Sequence, residues 1–540
     1  MWTVLLVACD IPGGRGVDSP DWSASVDQTS DSTGVTRDSD SADDVDSAPP
    51  AESGIEDSGV SPPDTDGDGV ADADDCAPAD PQVFPGAPDR CWDDRDADCS
   101  GSSSGCAWAG GKSLAGASVV LTGEAAGDHA GEWVAAGDAD GDGVSEVLVG
   151  ASSAYGAGVV YVVEASSGSG SLSAATARLF GVEPLEQTGW AVLAADFDGD
   201  GVDDVAVSAP YAASDGVAHG PGAVRVVSGP VTGDIDLSAE RTLAGSAADF
   251  VGTSIAAGDV DGDGIAELFA GAIGNASGGD ASGAGFLVSA PLSVGTFASP
   301  VTTILGPAAD ESAGTASALT DMNGDGLADV LIAAGGPGGS EDAAAAAVFY
   351  APSVGTVPWA DADAVISPED GEDHAGNPVL GTDVNGDGAA DLLVGGIGDD
   401  AGRGAIFIRF GPLVSVSSLA SPDARLVGAA VGDEAGCSVA VLDLDDDAAL
   451  DVAVGAQHAD AGSVDSGAVF IVLGPVAGVI DLAAADFILG GANAGGQGGE
   501  SIAAGDIDAD GRVDLLIGGW LDSTSASAAG SAWIMLAGAE

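Results

Sequence analysis

The sequence predicts an all-β fold, a seven-bladed β-propeller of four-stranded blades, on three observations. An acidic turn recurs seven times, a short apolar run follows each turn, and the two ends of the repeat region complete one another.

The first turn opens the stretch DADGDGVSEVLVGA, residues 138–151. Asp138, Asp140 and Asp142 stand at positions 1, 3 and 5, the Val144 carbonyl at position 7 and Glu146 at position 9. Hard oxygen donors at this spacing suit Ca2+, and Gly143 at position 6 permits the sharp turn. The pattern returns as Asp196, Asp198, Asp200, Val202 and Asp204, then as Asp259, Asp261, Asp263, Ile265 and Glu267. Asp321, Asn323, Asp325, Leu327 and Asp329 follow, and after them Asp383, Asn385, Asp387, Ala389 and Asp391. The last two sets are Asp443, Asp445, Asp447, Ala449 and Asp451, and Asp506, Asp508, Asp510, Arg512 and Asp514. About seven Ca2+ ions are expected, with the Asn323 and Asn385 sites weaker for want of a carboxylate and the Asp443 site strained because Ala448 replaces the position-6 glycine.

An EF-hand needs a carboxylate at position 12 and a helix on either side. Position 12 is instead Val149, Val207, Ala270, Ile332, Val394, Val454 and Ile517, and runs such as VLVG suit a buried strand. Successive turns start 58–63 residues apart. Two further columns accompany them. Gly131, Gly189, Gly252, Gly314, Gly376, Gly436 and Gly499 lie seven residues before the first Asp. An acid lies ten before it in six repeats: Asp128, Glu186, Asp249, Glu311, Asp373 and Asp433. Each unit holds four short apolar runs, which makes one propeller blade. The seventh unit stops after its third run, SAWIMLAG, and ASVVLTG upstream of the first unit matches fourth-strand segments such as RTLAG. Residues 118–122 are therefore expected to complete the last blade and remove its open edge.

In these columns the chain resembles the FG-GAP repeats of integrin α-subunit propellers and their bacterial relatives over residues 113–540. The resemblance implies seven blades. It departs at the Phe of "FG", here Ala130, Thr188, Val251, Ala313, Ala375, Ala435 and Gly498, so no integrin-type partner is implied.

Three segments precede the propeller. At residues 1–9, Leu6, Val7, Ala8 and Cys9 resemble a bacterial lipobox, which implies a signal remnant with lipidation at Cys9. Residues 10–63, rich in Asp, Ser, Gly and Pro without hydrophobic periodicity, are expected to form a disordered acidic linker. Residues 64–106 place Asp64, Asp66, Asp68, Asp72 and Asp75 at positions 1, 3, 5, 9 and 12 of another calcium-type loop. This segment resembles the Cys-containing metal-binding repeats of bacterial surface proteins and, more distantly, thrombospondin type 3 repeats. Its Cys76, Cys91, Cys99 and Cys106 allow three disulfide pairings, and the spacing and acidic surroundings disfavour a tetrathiolate zinc site. Cys437, single in its repeat, reads as a small buried residue.

Composition narrows the function. A formal charge of −75 repels nucleic acid and anionic lipid, and no apolar stretch approaches the roughly 20 residues of a membrane span. A monomer outside the cytoplasm, lipid-anchored or secreted, is expected. In a four-stranded meander the acidic turns lie on one face and the 2-3 and 4-1 loops on the other. The 2-3 loops vary and carry Tyr155, Tyr211, His219, Arg403, His458 and Trp520, the expected ligand-binding residues. His129 and His374 occupy matching DHAG segments and read as structural. With one lysine, Lys112, and four histidines, no nucleophile elbow, HExxH motif or P-loop is present. The sequence thus favours a calcium-stabilised adhesion or binding protein for a protein or glycan ligand over an enzyme. A polysaccharide lyase or hydrolase is the alternative.

Overall fold

The computed structural model describes residues 112–537 apart from 214–219, 247, 293–299, 336–344, 353, 370–373, 414 and 446, together with residues 70, 71, 76–78, 85 and 99. Seven antiparallel sheets follow one another along the chain. In blade one the strands are Ala130–Gly137, Glu146–Ala151, Val159–Val163 and Ala177–Phe180. The first strands of successive blades pack side by side around the ring, and that of blade seven, Ser501–Gly505, meets that of blade one. The fold is a seven-bladed β-propeller.

The second strands explain the apolar runs. All seven, from Glu146–Ala151 to Asp514–Gly519, are buried along their whole length, because both faces of each sheet pack against neighbouring blades. Closure follows the sequence expectation. Val119–Thr122 pairs antiparallel with the third strand of blade seven, Ser531–Met535, with Val119 opposite Ile534 and Thr122 opposite Ser531.

One feature departs from the four-stranded expectation. Among the described residues, six of the sheets gain a fifth, parallel strand from the 3-4 connection of the following blade. Gly233–Asp236 of blade two pairs with Ala177–Phe180 of blade one, and Gly478–Asp481 of blade six with Ala424–Val427 of blade five. Lys112–Ser113 plays this part for blade six, pairing with Leu489 and Gly490. A one-turn helix follows several of these strands and inserts one large side chain: Leu114, Leu172, Leu237, Trp359 or Leu482. Residues 112–122 therefore seal two blades.

The glycine column has a packing cause. Gly131 takes φ +85°, and a Cβ there would stand 2.2 Å from the Ser531 carbonyl oxygen of the adjacent blade. The residue at the Phe position of the repeat forms a parallel bridge to the glycine before the previous blade's third strand, as in Ala130 with Gly530 and Thr188 with Gly158. Blade backbones touch here, so glycine is required on the third-strand side, where a Cβ at Gly158 would stand 2.1 Å from the Thr188 carbonyl oxygen, while the Phe position admits Thr188 and Val251. Cys437 is fully buried, as its sequence context suggests, with Sγ 3.6 Å from the Gly499 carbonyl oxygen, but it is disulfide-bonded and so does more than fill space. Described by itself, the N-terminal segment contains a Cys76–Cys99 disulfide with a Cα–Cα distance of 6.2 Å, one of the bonds the spacing allows. Asp64, Asp66, Asp68, Asp72, Asp75 and Cys9 lie outside the described residues.

Candidate functional site

Each acidic turn is wound by its own carboxylates. Asp138 accepts the Gly141 amide on Oδ1 at 2.8 Å and the Gly143 amide on Oδ2 at 3.0 Å. Asp140 accepts from the Asp142 amide at 3.1 Å, and Asp142 from the Val144 amide at 2.9 Å. These bonds fix the backbone and leave oxygens facing inward. The position-9 carboxylate lies deeper. Glu146 accepts the Ala139 amide at 2.8 Å, and Asp514 accepts both the Ile507 amide at 2.8 Å and the Ala537 amide at 2.7 Å.

In blades one, six and seven the carboxylates at positions 1, 3 and 9 bring one oxygen each within 4.8 Å of one another; in blades two and three positions 1, 3 and 5 do so. Asp198 Oδ1, Asp445 Oδ1 and Asp506 Oδ1 are buried with no hydrogen-bond partner. Convergent, hard, partly orphaned oxygens fit a hard divalent cation. At the two turns with Asn at position 3, the amide turns toward the position-9 acid instead: Asn323 Nδ2 donates to Asp329 Oδ1 at 3.3 Å and Asn385 Nδ2 to Asp391 Oδ1 at 3.1 Å.

Burial first, and like charge second or later, raises the position-9 acids well above the usual carboxylate range. Glu146 and Asp514 rise to about 7, and Asp204, Asp329, Asp391 and Asp451 to about 6. A cation would return these groups to the ionised form.

Neighbouring turns are also linked. The position-8 amide of one turn donates to the position-1 carbonyl of the turn before it: Asp203 to Asp138 at 3.0 Å, Ala266 to Asp196 at 3.1 Å and Ala328 to Asp259 at 2.8 Å. The position-7 side chains Val202, Ile265 and Leu327 cover the position-4 glycines Gly141, Gly199 and Gly262 of the preceding turn. Position 7, read from sequence only as a carbonyl donor, therefore also supplies a contact between blades.

On the opposite face, 2-3 loop residues meet the 4-1 loop of the next blade. Trp520 stacks edge-on against His129 at 4.7 Å, Tyr211 against Phe250 at 5.6 Å, and His458 Nδ1 lies 3.5 Å from Gln497 Nε2. His458 is a third exposed, between Glu434 and Asp465. Tyr155 is 57% exposed, and its hydroxyl donates to Glu124 at 3.0 Å. Arg403 is committed internally, to the Gly428 carbonyl at 2.7 Å and to Asp400 and Asp481 at 3.2 and 3.0 Å, which leaves it a loop clamp. His219 lies outside the described residues.

Sequence reasoning left the acid column without a role. Asp128, Asp249 and Asp433 each accept the amide three residues earlier, at 2.6, 2.7 and 2.8 Å, and so close the 4-1 loop. It also missed a ring of left-handed residues two before the column glycine: His129, Gln187, Phe250, Ser312, His374, Glu434 and Gln497, with φ between 49° and 60°. Their side-chain types share nothing, so no residue pattern marks them.

Fold and turns define a repeat-built propeller with acidic 1-2 turns. The chain carries FG-GAP repeats: the family model described as FG-GAP repeat matches residues 188–227, and the FG-GAP-like repeat matches residues 138–207. No curated protein matches the sequence significantly. Among solved structures, the crystal structure of the V. cholerae biofilm matrix protein Bap1 is similar at 16% identity and a TM-score of 0.31, over 59% of this chain and 42% of that one.

Proposed function

We propose that this chain is an extracytoplasmic binding or adhesion protein whose propeller is held in shape by Ca2+ at its acidic turns and which engages a protein or glycan through the opposite face. The observation that carries the metal reading is the convergence of carboxylate oxygens in five turns, three of them with a buried oxygen that lacks a hydrogen-bond partner. Asp138, Asp140, Glu146 and their counterparts would hold the ion, which would supply positive charge and cross-link the two strands that each turn joins. The Cys76–Cys99 disulfide supports a location outside the cytoplasm. A lipid anchor at Cys9 would place the protein at a cell surface.

For ligand contact, Tyr155, Tyr211, His458 and Trp520 are the residues of choice. They sit in variable loops on a rigid scaffold, and aromatic groups supply contact area at low entropic cost. Glycan and protein arrays probed with the purified chain, with and without Ca2+, test the reading. Specific binding weakened by Tyr155→Ala supports it. Turnover of a polysaccharide by the same preparation would overturn the binding assignment in favour of an enzyme.

A further inference from the structure

Blade two differs from the other six in carrying two buried arginines. The fourth-strand position occupied by Arg241 holds Ala177, Thr302, Ala364, Ala424, Phe487 and Val119 in the same register elsewhere. The third-strand position occupied by Arg225 holds Tyr161, Phe286, Ala347, Phe407, Phe470 and Trp533. Arg225 binds Glu186 of the acid column through two parallel bonds, NH1 to Oε1 and NH2 to Oε2, both 2.9 Å, with the pair almost wholly buried.

Arg241 reaches the acidic turn at the other end of the blade. Its NH2 group lies 3.0 Å from Asp198 Oδ2 at position 3, and its NH1 group, which makes no hydrogen bond, lies 3.8 Å from Asp204 Oδ2 at position 9. Ser228 bonds both the guanidinium and Asp198 Oδ2. The Arg241 side chain is only 9% exposed, so solvent screens its charge little.

We propose that Arg241 is a built-in cation that replaces the metal at the turn of blade two and makes this turn the one that stays formed without Ca2+. The inference rests on the calcium reading of the other turns. Asp196, Asp198 and Asp200 still bring oxygens within 4.8 Å, and Asp198 Oδ1 is buried without a hydrogen-bond partner, so it is the guanidinium charge and not the oxygen geometry that sets this turn apart. An ion there would share Asp198 with a fixed guanidinium, lose the help of Asp204 and be repelled by a like charge. The same guanidinium neutralises Asp198 in the metal-free protein. With Arg225 clamping the opposite end, blade two is held at both ends by ion pairs internal to the blade, and breaking either would strand a buried charge.

Equilibrium dialysis with Ca2+ tests this on the full chain. Asp259→Asn in blade three should lower the bound Ca2+ by about one ion per chain, whereas Asp196→Asn in blade two should leave it unchanged. Arg241→Thr, which installs the residue found in blade three, should bind about one ion more than the wild type. Equal losses in the two Asn variants, or an unchanged count in folded Arg241→Thr, would overturn the inference. If Arg241→Thr does not fold, the two Asn variants decide alone. Absence of bound Ca2+ in the wild type would instead remove the calcium reading, and this inference with it.

Discussion

Ala448 is the residue where repeat and chemistry conflict most openly. It occupies position 6 of its turn with φ +70°, where five of the other turns place a glycine between +86° and +91° and the seventh has Gly511 at +88°. A Cβ in this region costs about 1–2 kcal/mol, so Ala448→Gly should stabilise the protein by about 1 kcal/mol in chemical denaturation at saturating Ca2+. The column glycines give the converse case. At Gly131 a Cβ meets carbonyl oxygen of the next blade, while at Gly127, also left-handed at +81°, nothing lies within 4 Å. Gly131→Ala should therefore cost at least about 2 kcal/mol and Gly127→Ala only about 1 kcal/mol, compared in the same denaturation experiment. Both glycines are visible in the sequence. Which of them is intolerant was not legible, because the clash is with Ser531, some four hundred positions away along the chain.

Blades were legible as elements, and their outer edges were not. Turn spacing and apolar runs located four strands per repeat, and the complementary ends located Val119–Thr122. The fifth strands escaped because they are two to four residues long, mostly exposed and without alternation, as in Gly233–Asp236. Their partners lie in the preceding repeat, so no local pattern reports them. They alter the truncation experiment. Compared in the reduced chain, so that the disulfide of Cys437 does not contribute, deleting residues 1–111 should preserve the melting temperature of the propeller. Deletion through residue 117 removes Lys112–Ser113 and the buried Leu114 and should lower it, and deletion through 123 should lower it much further by opening blade seven. Equal melting temperatures for the three would contradict this closure. Among the turns, Asn323 and Asn385 each donate to their position-9 acid and remove one charge from the set. Asn323→Asp and Asn385→Asp should each raise the Ca2+ affinity of that turn, read in titrations of the single variants against wild type.

Over the whole molecule, 87 acidic residues face 12 Lys and Arg, and the turns gather part of that charge into clusters chained from blade to blade. Without metal, each cluster combines like-charge repulsion with a buried acid whose affinity for protons is raised. The sign of the pH dependence follows. Glu146 and Asp514 titrate near 7 in the folded chain, and Asp204, Asp329, Asp391 and Asp451 near 6, against about 4 when unfolded. The metal-free fold thus holds protons that the unfolded chain releases, and its stability is greatest below about pH 4 for this contribution and is lost as pH rises to about 7. Bound Ca2+ reverses the preference, since it requires the ionised carboxylates and stabilises the fold by mass action. A domain stable by about 5–15 kcal/mol has little reserve against several such clusters acting together. Thermal unfolding in excess Ca2+ and in excess chelator, at pH 7.5 and pH 5, tests this account most directly. Chelation at pH 7.5 should lower the melting temperature by tens of degrees, and moving the chelated protein to pH 5 should recover part of the loss. Coincident curves at pH 7.5 with and without Ca2+ would contradict it and leave the acidic turns as solvated hairpins.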